Sequence, residues 1–169
     1  GAAVASRNIL SPSDLEFRWL PMAHSFAKVL MSTQLQVGFA AAIDGRVPKI
    51  VENLAIVKPT FMGAAPRIFE KAYGRIVGMM EEDGGVKLKL FNWAQKVGVE
   101  HSRLERAGKP IPAGLKIQYG LADKIIFSKI RDRFGGRVRF FISGAAALSP
   151  DIAEWFHAAN VLILEGYGL

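Results

Sequence analysis

Two segments of the chain repeat one layout, and this repeat constrains the fold more than any other feature. Phe61-Met-Gly-Ala-Ala-Pro-Arg-Ile-Phe69 and Phe141-Ile-Ser-Gly-Ala-Ala-Ala-Leu-Ser-Pro150 each pass from an apolar strand through Gly-Ala-Ala into a helix. Strands that alternate with helices imply a parallel sheet covered on both faces. The sequence therefore predicts an α/β fold: a doubly wound, mainly parallel sheet flanked by helices on both faces. Ligands of such sheets bind beyond the carboxyl ends of the strands.

The spacing of apolar residues predicts the elements of this sheet. Strands are expected at residues 18–21, 60–63, 137–143 and 161–164, and helices at 24–39, 47–57, 66–80, 86–107, 113–134 and 150–160. Pro66 and Pro150 suit first helical positions, with Ser149 as the N-cap of the last helix. Gly135 and Gly136 are expected to end the helix before them.

Composition limits the classes of function. The chain has 169 residues and no Cys, which excludes disulfides, thiolate zinc sites and a cysteine nucleophile. The longest uncharged run, residues 29–43, is polar in places and shorter than the ~20 apolar residues of a membrane span. No apolar signal segment is visible at residues 1–10. A cytoplasmic protein without a spanning helix is expected.

The positive charge is concentrated in one segment. Residues 103–139 contain ten Lys or Arg and three acids, which equals the net charge of +7 of the whole chain. One interpretation is a solvated helix face. The other is a surface that meets polyanions, either the phosphates of CoA or a peripheral anionic membrane. Nucleic acid is not an expected partner, because the sequence contains no known binding module and its aromatic residues are not spaced for base stacking.

Two loops at predicted strand ends are candidates for a ligand site. A backbone ledge at 144–146 and a Glu165-Gly166-Tyr167-Gly168 turn would lie side by side after neighbouring strands. Together they would form a slot for a flat heterocycle, since glycine lets the backbone approach a ligand and Tyr167 offers a ring face. The alternatives are close helix packing for the small residues, core packing for Tyr167, and a solvated acid for Glu165.

Four segments together resemble the adenylate-forming enzymes, specifically long-chain fatty-acid CoA ligases. The strongest is 141–156 followed by Leu164-Glu-Gly-Tyr-Gly-Leu169, which is similar to the adenine-binding segment of that family. Trp19-Leu-Pro-Met-Ala-His-Ser-Phe26 resembles the Leu-Pro-x-x-His element of these enzymes. Ser6-Arg-Asn-Ile-Leu10 resembles the helix that follows the phosphate loop in these enzymes, and residues 59–69 loosely match their Val-Pro-Arg segment. All four occur in the family's order, across nearly the whole chain.

This resemblance implies an ATP-dependent ligase that converts a long-chain fatty acid to acyl-CoA through an acyl-adenylate, with Mg²⁺ and CoA required. Tyr167 would stack on adenine. The other nucleotide-binding residues would be Gly144, Ala145, Ala146, Glu165, Gly166 and Gly168. His24 would be catalytic, at the point where carboxylate, α-phosphate and pantetheine meet; its alternative is a histidine that only satisfies a polar group at a helix start.

An acyl tunnel is also implied. Apolar residues of the helix after His24 and the small residues of the second strand are expected to line it: Phe26, Leu30, Gly63, Ala64 and Ala65. Close packing of a helix on a strand is the alternative. Lys28 stands where some bacterial members of the family carry a gating Trp, so the resemblance identifies no gate here.

In terms of domains, residues 1–169 are expected to be a fragment of an AMP-binding amino-terminal domain. The phosphate loop would precede Gly1, and the Thr-Glu pair that handles phosphate and Mg²⁺ would follow Leu169. The carboxy-terminal domain would also be missing, so no metal ligand is assigned and the chain alone is expected to be inactive. The competing hypothesis is a non-catalytic nucleotide- or acyl-binding α/β module.

Overall fold

A parallel five-stranded sheet forms the centre of the computed structural model, which describes residues 9–166. Its strands are β1 (Leu15–Arg18), β2 (Ala40–Ile43), β3 (Phe61–Ala64), β4 (Phe140–Ser143) and β5 (Ile163–Glu165). Their order is β2-β1-β3-β4-β5, and every neighbouring pair is parallel. The chain moves from β1 to β2 and then back across β1 to β3, so the direction of winding reverses there. The predicted doubly wound α/β fold is confirmed.

Seven helices connect the strands in the described part. They are α1 (Ser25–Val37), α2 (Ile50–Val57), α3 (Pro66–Asp83), α4 (Gly85–Arg106), α5 (Ala113–Ala122), α6 (Ser128–Asp132) and α7 (Pro150–Ala158). A 3₁₀ turn, Val47–Lys49, precedes α2, and a π-helical turn, Asp123–Phe127, joins α5 to α6. Gly38, in the left-handed conformation with φ 85°, ends α1 and donates its backbone N–H to the carbonyl of Gln34.

The two faces of the sheet bury different clusters. On one face, Leu30 of α1 packs with Phe39, Phe61 and Phe140. On the other, Met62 and Phe141 pack against a larger core formed by α2 to α7. Side chains alternate between faces along each strand, so neighbouring residues of β3 and β4 enter separate cores.

The sequence misplaced β1 and missed β2. The predicted strand 18–21 is wrong: β1 lies three residues earlier, and residues 19–22 lead out of it. The reason is that β1 contains two charged residues, Glu16 and Arg18, which are buried as an ion pair and so hide its apolar character. The strand β2 consists of Ala-Ala-Ala-Ile, which lacks the β-branched and aromatic pattern by which strands are recognised.

The helical boundaries were predicted to within a few residues, with three differences. The expected single helix 113–134 contains the π-helical turn, which separates α5 from α6. Ser149 does occupy the N-cap of α7, but its side chain makes no capping hydrogen bond; its backbone carbonyl accepts from Ala153 instead. The gap between the predicted helices 66–80 and 86–107 is shorter in the structure, because α3 continues to Asp83 and Gly84 turns the chain directly into α4.

Candidate functional site

The carboxyl ends of the strands bring three of the predicted segments together. Phe26, in the first turn of α1, lies close to both Gly144 and Gly63. A Cβ built on Gly144 would lie 3.0 Å from its ring, and one built on Gly63 would lie 3.2 Å from the ring. The start of α1 therefore lies against the ends of both β3 and β4. A Cβ at either position would be tight against the ring, so the two glycines permit this close approach of α1 to the sheet. The candidate site is this edge of the sheet.

The loop after β4 is held by backbone hydrogen bonds to both neighbouring strands. Gly144 donates its N–H to the carbonyl of Ala64 at 3.2 Å, and Gly166 donates its N–H to the carbonyl of Ser143 at 2.7 Å. The Gly144 loop and the Glu165-Gly166 turn therefore lie side by side, as the sequence predicted. Ala145 has φ 73°, a left-handed conformation that is uncommon for alanine and that recurs at ligand-binding loops.

The outer rim of this loop pair is open. Ala145, Ala146, Glu165 and Gly166 are all exposed at the edge of the sheet. Tyr167 and Gly168, which the sequence assigned to the same site, lie outside the described residues. The nucleotide-binding role of these loops and the stacking role of Tyr167 stay predictions.

His24 lies at the start of α1, beside the same edge. It occupies the N-cap of the helix with an extended backbone (φ −84°, ψ 141°), and its side chain makes no capping hydrogen bond. Its backbone N–H donates to Pro21 at 3.0 Å, and its carbonyl accepts from Lys28 at 3.3 Å. The imidazole is exposed and not used by the local fold, which leaves it able to contact a ligand.

The five predicted tunnel residues do not all converge. Phe26 and Leu30 meet Gly63, and a Cβ on Gly63 would lie 2.5 Å from Cδ1 of Leu30. Ala64, in contrast, belongs to the core on the other face of the sheet, because side chains alternate along β3. Ala65 is the N-cap of α3. Placing Ala64 in one wall with Phe26 was therefore wrong, and a bulky residue there would crowd the main core.

Ser143 is a residue of this edge that the sequence did not identify. It is the last residue of β4, only 1% exposed, and its hydroxyl has no hydrogen-bond partner in the described part of the protein. Its position directly before the Gly-Ala-Ala loop was the available signal. A serine that ends an apolar strand is common enough that sequence alone does not mark it.

The basic segment 103–139 is divided by the structure. Arg131 forms a bidentate ion pair with Asp123, at 2.6 and 2.9 Å, and donates to the carbonyl of Ala159 at 3.0 Å. Lys116 and Lys124 are exposed. Arg131 therefore does not share a free basic face with these two lysines, because its guanidinium binds α6 to the π-helical turn before it and to the residue that follows α7.

A groove of about 480 Å³ lies elsewhere, between α4 and α7, and is lined by Gln95, Lys96, Val99, Glu100, Arg103, Leu104 and Trp155. None of the candidate site residues lines it. Within residues 9–166, no helix is both long and apolar enough to cross a bilayer. Across the same residues, His, Asp and Glu side chains do not gather in threes as a metal site would require.

These features define a doubly wound α/β domain with a candidate ligand-binding edge at the carboxyl ends of β3, β4 and β5. The chain belongs to the AMP-binding enzyme family, whose model matches residues 2–169. The predicted membership of the adenylate-forming superfamily is thereby confirmed.

Individual relatives are acyl-CoA synthetases. The chain is 34% identical over 160 residues to fatty acyl-CoA synthetase A of Dictyostelium discoideum, which covers 94% of this chain and 22% of that protein. It is 37% identical over 164 residues to long chain acyl-CoA synthetase 3 of Arabidopsis thaliana, covering 95% of this chain and 23% of that protein. The chain thus spans less than a quarter of the length of these two relatives.

Solved structures share the fold. The adenylation domain of a carboxylate reductase from Mycobacterium chelonae superposes with a TM-score of 0.64 at 21% identity, over 93% of this chain and 20% of that one. The A domain of a carboxylic acid reductase from Segniliparus rugosus, in complex with AMP and a co-purified carboxylic acid, gives a TM-score of 0.54 at 20% identity, over 92% of this chain and 20% of that one. At this level of identity the likeness concerns the fold.

Proposed function

We propose that this chain is the adenine- and acyl-binding part of an ATP-dependent ligase that activates long-chain fatty acids to acyl-CoA. The observation that carries the proposal is the meeting of the Gly144 loop, the Glu165-Gly166 turn and the start of α1 at one edge of the sheet, where the Phe26 ring lies against Gly144. Family membership and the acyl-CoA synthetase relatives support it. Residues 1–169 would then be part of an amino-terminal domain.

The proposed reaction has two steps. The fatty-acid carboxylate attacks the α-phosphate of ATP and releases pyrophosphate, and the thiol of CoA then displaces AMP from the acyl-adenylate. The backbone of residues 144–146 and of Glu165-Gly166 would frame the adenine, and Tyr167 would stack on it. His24 would meet the carboxylate and α-phosphate. Its exposed imidazole at the N-terminus of α1, where the helix dipole favours negative charge, suits that position.

Phosphate charge has to be neutralised for such a transfer, and Mg²⁺ would supply this when bound. Residues 9–166 bring together no set of acidic or histidine side chains for a metal, so we assign it no ligand there. Positioning is what these residues contribute. We therefore expect the chain by itself to bind adenine nucleotide and not to catalyse the reaction.

The first test is His24→Ala in the full-length protein. Loss of one charge-assisted hydrogen bond to the reacting groups removes about 1.5–3 kcal/mol. We expect fatty-acid-dependent ATP–pyrophosphate exchange to fall roughly tenfold to a hundredfold. The matched control is His101→Ala, because that ring stacks on Tyr119 at 3.9 Å and lies outside the site.

Two results would contradict the proposal. If wild-type full-length protein shows no exchange with any fatty acid from acetate to palmitate but still binds ATP, the non-catalytic nucleotide-binding module becomes the correct interpretation. If His24→Ala and His101→Ala reduce the exchange rate equally, His24 is not part of the site.

We propose, as a second property, that the protein is cytoplasmic and contacts anionic membranes peripherally through the outer face of α5. Ile117 and Leu121, one helical turn apart, are 74% and 50% exposed. The exposed Lys116 and Lys124 flank them, and Asp123 is paired with Arg131. Apolar residues beside lysines are typical of helices that lie in a lipid interface.

Vesicle co-sedimentation tests this surface in the full-length protein. Each lysine near an anionic bilayer contributes about 1 kcal/mol, so Lys116→Glu/Lys124→Glu should reduce binding to phosphatidylserine vesicles by at least roughly tenfold. Ile117→Ser/Leu121→Ser should also reduce it, whereas Val86→Ser, an exposed apolar residue at the start of α4, should not. Unchanged vesicle binding with a loss of CoA affinity would identify a CoA-phosphate site instead.

A further inference from the structure

The indole of Trp19 connects β1 to β3 beyond the point where the two strands stop pairing. Their last pair is Phe17 with Met62, whereas the pairing of β3 with β4 continues to Ala64. The carbonyl of Gly63 therefore lies past the end of the ladder between β1 and β3. Trp19 Nε1 donates to this carbonyl at 2.9 Å, in a buried hydrogen bond. A side chain thus holds the end of β3 where the backbone of β1 no longer does.

The separation of β1 from β3 falls where the sheet reverses its direction of winding. The strand β1 lies between β2 and β3, and the chain leaves it first toward β2 and later returns across it to β3. Ligands of open parallel sheets bind outside the carboxyl ends of the strands at such a reversal. His24 lies on the connection that leaves β1 at this point. Trp19 is therefore the side chain that joins the two strands next to the proposed reacting groups.

Gly63 is the point against which the chain from Trp19 into α1 packs. A Cβ built on Gly63 would lie 2.5 Å from Leu30, 3.2 Å from Phe26 and 3.5 Å from Leu20. These three contacts are apolar and have no directional preference. The hydrogen bond from Trp19 to the Gly63 carbonyl is directional, so it fixes both the distance and the orientation of the loop relative to β3.

The position of His24 depends on this anchor. Four residues separate it from Trp19, and one of them is Pro21, whose φ is fixed by its ring. The backbone N–H of His24 donates to the carbonyl of Pro21 at 3.0 Å, which closes the turn between the two. The imidazole makes no capping hydrogen bond of its own. Its place relative to the ends of the strands therefore follows from the contacts of the loop, of which the Trp19 hydrogen bond is the directional one.

We infer that Trp19 is a positioning residue of the proposed reaction and acts through His24. This inference rests on the proposed function and adds to it a residue outside the ligand-binding loops. The indole N–H holds the loop before His24 at a set distance from the end of β3, so that the imidazole meets the carboxylate and α-phosphate in productive geometry. Trp19 is only 8% exposed and packs in the large core, so its effect on the reaction passes through the loop.

Two substitutions in the full-length protein separate the hydrogen bond of Trp19 from its bulk. Trp19→Phe keeps an aromatic ring and loses the donor. Trp19→His loses more volume and keeps a donor, because Nε2 of histidine takes the place of indole Nε1 when the five-membered rings superpose. We expect kcat for fatty-acid-dependent ATP–pyrophosphate exchange to fall roughly tenfold to a hundredfold in Trp19→Phe, with little change in the KM for ATP. Trp19→His should have the higher kcat of the two variants.

The melting temperature should show the opposite order. Trp19→His leaves the larger cavity in the core, so it should melt below Trp19→Phe. A residue with a purely structural role would give a kcat that follows the melting temperature, with Trp19→Phe the more active variant. The two orders are therefore compared at one temperature at which wild type and both variants are folded.

A double-mutant cycle tests the route through His24. If Trp19 acts by placing the imidazole, Trp19→Phe should lower kcat in the wild-type background and have little further effect in the His24→Ala background. The matched control is Trp155→Phe. Trp155 is also 8% exposed and packs in the same core, but it lines the groove between α4 and α7. It should lower the melting temperature and leave kcat unchanged in both backgrounds.

The outcomes distinguish this inference from the proposed function. Wild-type protein without exchange activity on any fatty acid would overturn the proposed function, and the role of Trp19 with it. If the wild-type protein is active, a wild-type kcat in Trp19→Phe would overturn only the role of Trp19. An equal loss from Trp19→Phe in both backgrounds, or a lower kcat in Trp19→His than in Trp19→Phe, would also overturn that role alone.

Discussion

Replacing Arg18 with methionine is expected to destabilise the protein by about 3–5 kcal/mol, the usual cost of leaving one charge of a buried pair unpaired. Arg18 and Glu16 lie two residues apart on β1, so their side chains share one face of the sheet. They are 3% and 0% exposed. Arg18 Nε donates to one carboxylate oxygen of Glu16 at 3.1 Å, and its Nη2 donates to the other.

The environment of Glu16 explains why the effect is large. Burial raises the pKa of its carboxyl above the usual range, and the hydrogen bond and charge of Arg18 only partly offset this. Without Arg18, the carboxylate would have to take up a proton or remain charged in an apolar surrounding. Trp19 follows the pair directly, and its indole N–H donates to the carbonyl of Gly63 at 2.9 Å. Gly63 is one of the candidate site residues.

Denaturant unfolding monitored by Trp fluorescence measures the effect, with two companion variants. The double variant Glu16→Leu/Arg18→Met should be near wild-type stability or above it, because an apolar pair of similar volume avoids the desolvation of both charges. Lys87→Met breaks the exposed Lys87–Asp83 pair and should cost less than about 1 kcal/mol. If the double variant is as unstable as Arg18→Met, the pair contributes more than mutual charge compensation and the argument is wrong.

The sequence predicts the fold class of this chain but not the positions of β1 and β2. The repeat of strand, Gly-Ala-Ala and helix fixed the fold class, because apolar β3 and β4 and their glycines carry an unambiguous pattern. It did not locate β1, since the sequence presents Glu16 and Arg18 as surface residues until their mutual contact is known. The Ala-rich β2 was missed for a different reason: its strand state comes from pairing with β1, not from its own propensity.

The sequence likewise predicts some features of the candidate site and not others. Proximity of the Gly144 loop and the Glu165-Gly166 turn followed from connectivity, because adjacent parallel strands end at the same edge. The alternation of side chains on β3, which separates Gly63 from Ala64, required the strand register. The unpaired hydroxyl of Ser143 required the side-chain packing around it, and no sequence pattern reports the absence of a partner.

Asp14→Ala is the second change expected to have a large effect, about 2–4 kcal/mol of unfolding free energy. Asp14 is buried at the amino end of the sheet and connects three strands. Its carboxylate accepts hydrogen bonds from Thr60 Oγ1 at 2.6 Å, the Ser11 backbone N–H at 2.8 Å and Arg139 Nη2 at 2.7 Å. Hydrogen bonds to a charged group contribute about 1.5–3 kcal/mol each. The partial exposure of Arg139, which water can solvate after the change, keeps the total below their sum.

The pH dependence of the unfolding free energy distinguishes the contribution of the Asp14 charge from that of its side-chain shape. Burial alone would raise the pKa of this carboxyl, but the hydrogen bonds from Thr60 and Ser11 and the pairing with Arg139 lower it below its usual range. The associated stability is fully present above the unfolded pKa of about 4, and it is lost as pH falls through the folded pKa. The difference in unfolding free energy between wild type and Asp14→Asn should therefore be constant from pH 7 to about pH 5 and shrink below about pH 4.

Urea unfolding of both proteins at several pH values measures this difference. Glu16 has a raised pKa and so the opposite dependence on pH, but it is present in both proteins and cancels when their free energies are subtracted. Asp83→Asn, an exposed acid on α3, should give a difference near zero at every pH. A wild-type advantage over Asp14→Asn that stays constant down to pH 3 would show that the ionised carboxylate is not what joins β1, β3 and β4 at the amino end of the sheet.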